Sequence, residues 1–189
     1  QLYVTAELGY NYKNQNDPAF PNRAMEADVI TGYRSSINGF DNRFGYIKPT
    51  LKLTYPLHPS GIAVIATKIA GETVIGENYE FYHGAVLGGN QSLRAYRNER
   101  FNGKTAFYQS TDVRVGLTRF KTNFIPLQLG ISAGFDYGRV WTDNDTSSKW
   151  HNDYGGSVWV SGFSALTGNL GFYHGEDGNR VIFSVGFNF

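Results

Sequence analysis

The chain has no cysteine, a single methionine, six prolines and four histidines in 189 residues. Without cysteine there are no disulfides and no thiolate metal sites; this is compatible with a periplasm-facing protein without requiring one. No long apolar run exists either. The longest, residues 62–66, is far short of the roughly 20 residues a transmembrane helix needs. Charge of either sign is not in excess: the formal net charge is +1, which argues for neither nucleic acid nor an acidic partner. His58, His83, His151 and His174 are scattered, and none has a second ligand at metal-binding spacing. Asp143-Asn144-Asp145 begins like a calcium loop but lacks the later glycine and glutamate, and reads as a solvated loop. There is no Gly-x-Ser-x-Gly elbow, and the glycines between Gly84 and Gly89 are not followed by Lys-Ser/Thr. Glu7, Glu26 and Asp28 share polar strand faces, where channel lining explains them better than acid–base work. The expectation is a non-catalytic chain with no cofactor and no metal.

What the chain has is glycine and aromatics, 23 Gly, 13 Tyr and 14 Phe, which suit curved strands and interfacial girdles. Its patterning has period 2, the period of a strand with two different faces. At the end of the chain Val181, Phe183, Val185, Phe187 and Phe189 share one parity, and Ile182, Ser184, Gly186 and Asn188 the other. A soluble strand can alternate in this way. A strand that shows apolar groups to lipid would also do so and can end flush on an aromatic. That ending resembles the assembly signal of bacterial outer-membrane β-barrels, carried here by Gly186, Phe187 and Phe189. A negative mean hydropathy fits such a barrel, whose wet interior makes every second position polar.

Nine segments read as strands: residues 2–12, 25–35, 44–55, 62–73, 104–118, 124–141, 154–163, 166–174 and 181–189. The alternation is clean in the first, where Leu2, Val4, Ala6 and Leu8 oppose Tyr3, Thr5, Glu7 and Gly9, and weak in 154–163. Most connections are short, but 75–103 and 142–153 are long and fall on the same side of the sheet. Short turns on one side and long loops on the other is the arrangement of outer-membrane barrels. The segment 13–23 is long for a short-side turn, and nothing in its sequence explains it. An odd strand number conflicts with the even counts of bacterial barrels, so either the count is off or the chain is part of a larger barrel. The opening on strand-like residues at Leu2 reads as a processed or truncated start, since a barrel must be exported. One domain, 1–189, is expected.

The loop from Leu87 to Gly103 carries a glycine pair, Gly88-Gly89, then Leu93-Arg94-Ala95-Tyr96, then Phe101-Asn102-Gly103. It resembles the inward-folded loop of the BamA/TamA outer-membrane assembly superfamily, the bacterial surface antigen type. The family's Val/Leu-Arg-Gly-Phe/Tyr is met with one departure, Ala95 for Gly, which is expected to alter the backbone at the tip. Thr111-Asp112-Val113-Arg114 stands where the family carries a lumen-facing Glu, and Phe135-Asp136-Tyr137-Gly138-Arg139-Val140-Trp141 is similar to its Asp-x-Gly-x-Val-Trp. The resemblance is good over 79–189 and loose before that. It implies an all-β, antiparallel transmembrane β-barrel in a Gram-negative outer membrane, this chain being the C-terminal portion of roughly sixteen strands. It implies an insertion or translocation role, with lipid, unfolded outer-membrane polypeptides and assembly-machinery subunits as partners. An anchor or exporter for an upstream phosphoesterase or patatin-like domain, and a small porin, are the alternatives. The site residues it implies are Arg94, Asp112, Asp136 and Tyr96, with loop glycines Gly88, Gly89 and Gly103. The physics agrees: a confined guanidinium needs partners, and both aspartates lie on the polar parity of their strands.

The alternation places Val113, Val115, Leu117, Leu127, Leu129, Ile131, Val185, Phe187 and Phe189 toward lipid, and Asp112, Arg114, Gln128, Ser132, Asp136, Ser184 and Asn188 toward the lumen. A charge on the lipid face at mid-depth costs about 2–4 kcal/mol. Leu129→Arg should therefore lower the yield of folded, heat-modifiable barrel far more than Gln128→Arg. Equal yields would refute the assignment of faces.

Overall fold

The computed structural model describes residues 2–17, 20–38, 42–121, 126–143, 148–162 and 166–186. Four long strands come first: β1 (Tyr3–Gln15), β2 (Ala24–Ser36), β3 (Arg43–Pro56) and β4 (Ala63–Ile75). The connection that follows, expected to be a loop throughout, contains a single 3-10 turn, Phe81–His83, and a short antiparallel ladder of β5 (Ala85–Leu87) with β6 (Phe101–Gly103). Five more long strands complete the chain: β7 (Thr105–Lys121), β8 (Pro126–Trp141), β9 (His151–Gly162), β10 (Leu166–Gly175) and β11 (Gly178–Val185). The nine long strands form one antiparallel sheet in the order β1-β2-β3-β4-β7-β8-β9-β10-β11. Neighbours in the sheet are successive long strands of the chain, so no pairing needs a crossover. Among the described residues β1 and β11 do not pair with each other, and both are edges.

The two faces differ as the alternation requires. On β11, Phe183 is 71% exposed and Ile182 only 4%. Val113, Leu117, Ile131, Phe135, Val158, Leu170 and Phe172 are exposed on the outer face, while Asp112, Arg114, Ser132, Asp136 and Asn169 are buried on the inner one. Phe187, Asn188 and Phe189, and with them most of the terminal signature, lie outside the described residues, as do Asn144 and Asp145. Gly186 ends the described chain at φ 86°, a left-handed conformation that glycine adopts without steric cost.

Several of the expected strand boundaries need correction. Strand β9 begins at His151 rather than at 154, and its alternation is weak in sequence because its inner face carries Trp159, fully buried, between Ser157 and Ser161. Strand β11 begins at Gly178, leaving a two-residue turn after β10. Strand β7 continues to Lys121 through a bulge between Gly116 and Thr118. One extra residue exchanges the two parities beyond it, so Thr118 and Phe120 stand opposite the outward Leu129 and Leu127, and Arg119 opposite Gln128.

The length of segment 13–23 has a structural reason. Strand β1 extends to Gln15, and beyond it Phe20 reaches inward and stacks on Trp159 with ring centroids 4.9 Å apart and planes 25° apart. A turn joining β1 and β2 touches the inner face of β9, so the sheet is curled into a deep trough. Ion pairs of Lys52 and Lys13 with Glu26 at 3.0 and 3.6 Å, and of Lys48 with Glu72 at 2.6 Å, line the β1–β4 side of the trough. The β7–β11 side is filled by the loop between β4 and β7.

Candidate functional site: a loop clamped to the inner wall

The loop leaves β4, forms the β5–β6 ladder, and sends residues 88–100 into the trough. Gly88 and Gly89 have φ 115° and 102°, values open to glycine at little cost, and they turn the chain back on itself. The Ser92 Oγ accepts from the Gly88 N–H at 2.9 Å, and the Leu93 carbonyl from the Gly89 N–H at 3.0 Å. Gly103 serves differently: a Cβ there would come 2.6 Å from the Trp141 carbonyl oxygen, so glycine lets β6 lie close against the end of β8.

At the tip Arg94 is 3% exposed. Its Nε and Nη2 donate to the two oxygens of Asp136 at 2.7 and 2.6 Å, a bidentate fork, and its backbone N–H donates to the same carboxylate at 3.2 Å. Nη1 donates to the Tyr173 hydroxyl at 2.7 Å, while the guanidinium carbon lies 4.3 Å from the centre of that ring. Asp112 Oδ1 stands 2.8 Å from Nη2 as an ion pair without an aligned hydrogen bond, and Arg114 is 3.7 Å from its other oxygen. Arg94 thus reaches both aspartates, with Asp136 as the directional partner. Burial opposes the charge on Arg94; the hydrogen bonds of Asp136 and the charges of Asp112 and Asp136 outweigh it and raise the pKa above its ordinary value.

Ala95, where the family carries glycine, does not disturb the tip. It lacks a positive φ, so a Cβ is tolerated, and its N–H donates to Asp153 Oδ2 on β9 at 3.1 Å. Tyr96 belongs to a different part of the clamp from the charges. It is fully buried in an apolar cluster with Leu87, Leu93, Tyr173 and Ile182, with Phe101, Tyr108 and Val140 packed against it. Its hydroxyl donates to the Asn152 carbonyl at 3.1 Å, and burial pushes the phenol above its usual range. Further contacts tie the same loop to β4, β7 and β11: Lys68 Nζ to the Gln91 carbonyl at 3.0 Å, Ser110 Oγ to the Ser92 carbonyl at 2.9 Å, and Arg180 to the Tyr96 carbonyl. Beyond the tip, Arg100 pairs with Asp177 at 2.6 Å.

Sequence reasoning missed Asp153 and Tyr173. Both stand on the inner parity of their strands, beside Asn152 and Phe172, and inward parity was the available signal. It also missed the glycines that make room. A Cβ on Gly134 would come 2.5 Å from both Arg94 Nη2 and Asp112 Oδ1, and one on Gly175 would come 3.0 Å from the Ala95 Cβ. No group of three or more metal-ligating side chains occurs among the described residues.

No known family model matches this chain, and no curated protein sequence matches it. Among solved structures it is similar to the crystal structure of BamA from Haemophilus ducreyi lacking POTRA domains 1–3, with a TM-score of 0.71 over 96% of this chain at 17% identity. The fold is that of a BamA barrel. The match covers 41% of the Haemophilus ducreyi chain, so this chain spans about two-fifths of that BamA structure's length. At such low identity the likeness is one of fold. It agrees with the BamA-type fold implied by the loop, β7 and β8 motifs.

Removing one partner of a buried ion pair costs about 3–5 kcal/mol, because the other charge is stranded. Asp136→Ala should therefore destabilise the barrel by about that amount in urea titration, and Asp112→Ala by less, since Asp112 makes no aligned hydrogen bond to Arg94. Arg94→Lys should restore little, because an ammonium cannot fork across Asp136 while reaching Tyr173. Gly134→Ala, which adds only a methyl group, should cost about 1–3 kcal/mol by overpacking and speed proteolysis within 88–103. A silent Asp136→Ala would remove the clamp from consideration.

Proposed function

We propose that this chain is part of an outer-membrane β-barrel that inserts outer-membrane proteins or translocates polypeptides. The observation that carries the proposal is the Arg94–Asp136 fork, with Asp112 beside it, on a fold of BamA type. The outer face supports a membrane setting. Trp150 lies 5.9, 5.7 and 6.1 Å from the rings of Trp141, Tyr137 and Phe107, an aromatic cluster at the long-loop end of exposed apolar strands. Such girdles sit at the membrane–water interface. Lipid is then the partner of the outer face.

In this reading the chain forms the C-terminal portion of a barrel of roughly sixteen strands. The edges of β1 and β11 pair with further strands, because unpaired backbone cannot face hydrocarbon. The clamp holds β7–β11 as one rigid wall, and the edge of β11 offers backbone groups to which an incoming strand adds by β-augmentation. Unfolded outer-membrane polypeptides are the substrate and assembly-machinery subunits the companions. No side chain acts as a catalyst in this scheme.

A depletion strain complemented with Arg94→Ala or Asp136→Ala tests it. Levels of other folded outer-membrane proteins should fall while the variant itself remains in the membrane. Normal levels of those proteins, with loss only of a domain attached to this barrel, would replace insertion by an anchoring or exporting role.

A further inference from the structure

The loop covers the β7–β11 side of the trough, and a cavity of about 420 Å³ opens between it and strands β2–β4. The cavity lies at the long-loop end, against the first half of β3 and the 3-10 turn Phe81–His83. Its volume is within the roughly 300–1,000 Å³ of small-molecule sites. The floor is aromatic. Phe44 and Tyr46 are buried there, and the His83 ring centre lies 5.0 Å from that of Phe44 and 4.5 Å from that of Tyr82. The Tyr46 hydroxyl donates to Glu7, and the Arg34 and Lys48 cations stand 5.1 and 5.3 Å from the centre of its ring. Tyr82 is exposed at the rim, on a turn fixed by Asn102 Nδ2, which donates to the Phe81 carbonyl at 2.8 Å.

The charges on its walls balance. Lys48 and Glu72 form an ion pair at 2.6 Å, whereas Arg34 and Glu99 line the same cavity and make no salt bridge among the described residues. Among those residues Glu99 alone has a positive φ without being glycine, at 55°. Such a backbone is costly for an L residue, and outliers of this kind cluster at ligand clamps. Two cations facing two carboxylates disfavour a ligand of either net charge. A wholly apolar ligand would leave Arg34 and Glu99 desolvated without partners. A peptide adding as a strand finds no edge on this wall, because β2, β3 and β4 are each paired on both sides. The chemistry that fits is a small neutral molecule with an apolar ring face and many groups that both donate and accept.

We infer that this cavity is a binding site for a neutral saccharide at the long-loop mouth of the trough. The C–H face of a sugar ring packs on Tyr82 and His83. Its hydroxyls donate to Glu99, accept from Arg34 and reach the Lys48–Glu72 pair, so that the charges are satisfied when water leaves. A free oligosaccharide and the sugar chain of a surface glycan share this chemistry. That the mouth faces the cell exterior rests on the membrane-barrel reading above; the site is independent of any role in protein insertion.

The test is saturation-transfer NMR titration of the full-length protein, in an amine-oxide detergent that carries no sugar, with lactose, maltose and diacetylchitobiose. At least one should bind, and more tightly than the charged sugars glucosamine and glucuronic acid. Tyr82→Ala, Arg34→Gln and Glu99→Gln should each weaken binding roughly five- to tenfold, the size of one aromatic contact or one hydrogen bond to a charged group. Glu99→Gln should also bind glucuronic acid better than wild type does, a change of preference that mere loosening of the loop would not produce. Heat-modifiable mobility in gels shows which variants are folded. Polysaccharide released from the native outer membrane is titrated in parallel: tighter binding than the disaccharides assigns a surface glycan, weaker binding a free sugar. No binding of any of the three disaccharides, equal binding of the charged sugars, or unchanged affinity in all folded variants would overturn the site and leave the membrane reading standing. A Tyr82→Cys thiol in intact cells should react with a membrane-impermeant maleimide. A folded variant that stays unlabelled would overturn the outward placement of the mouth, and with it the orientation of the barrel.

Discussion

A guanidinium buried away from bulk water is the constraint on which this structure turns. Arg94 cannot be left unpaired there, because an isolated charge in a confined, low-dielectric setting is prohibitively expensive. The fork to Asp136, the ion pair to Asp112 and the hydroxyl of Tyr173 together occupy its donors. These partners come from β8, β7 and β10, so satisfying one side chain fixes the relative positions of three strands. The loop is placed by the same requirement. Its backbone at Arg94 and Ala95 is held by Asp136 and Asp153, leaving little freedom for the tip.

Around that polar centre the loop behaves as a portable core. A sheet with apolar groups on its outer face has little apolar material to bury inside, and the inner parity of β7–β10 is rich in Ser, Asp, Asn and Gly. Leu87, Leu93 and Tyr96 bring the missing apolar volume from the loop and pack on Tyr173 and Ile182. Interior glycines are the complement of this arrangement: Gly134 and Gly175 keep the wall flat where the guanidinium and the Ala95 methyl approach it. Charge pairing gives the loop its register, and apolar burial gives it adhesion.

The trough is asymmetric as a result. One wall is covered by the loop, and the other is lined by lysine–glutamate pairs beside open space. The outer face is apolar and aromatic along both walls. A single chain therefore presents three surfaces of different chemistry, each assigned by alternate positions on the same strands. An antiparallel meander allows this because every strand is two-sided and each pairing is local.

Period-2 alternation was legible in the sequence, and it determined the strands, their faces and the sidedness of the long loops. It also put Asp112 and Asp136 on the inner face, and the loop motif supplied the charge that joins them. These are local properties: parity passes from residue to residue along a strand until something interrupts it. Tertiary structure decided the rest, because the remaining features depend on residues far apart in the chain. The bulge after Gly116 reverses the faces beyond it without a composition signal. Trp159 would pass for a lipid-facing residue until Phe20, distant in sequence, is seen stacked on it. Asp153 and Tyr173 carry no motif of their own and gain their roles only because β9 and β10 curl toward the loop. Tyr96 carried the right identity for the clamp, but only packing shows that it acts there through apolar burial while Arg94 carries the charge.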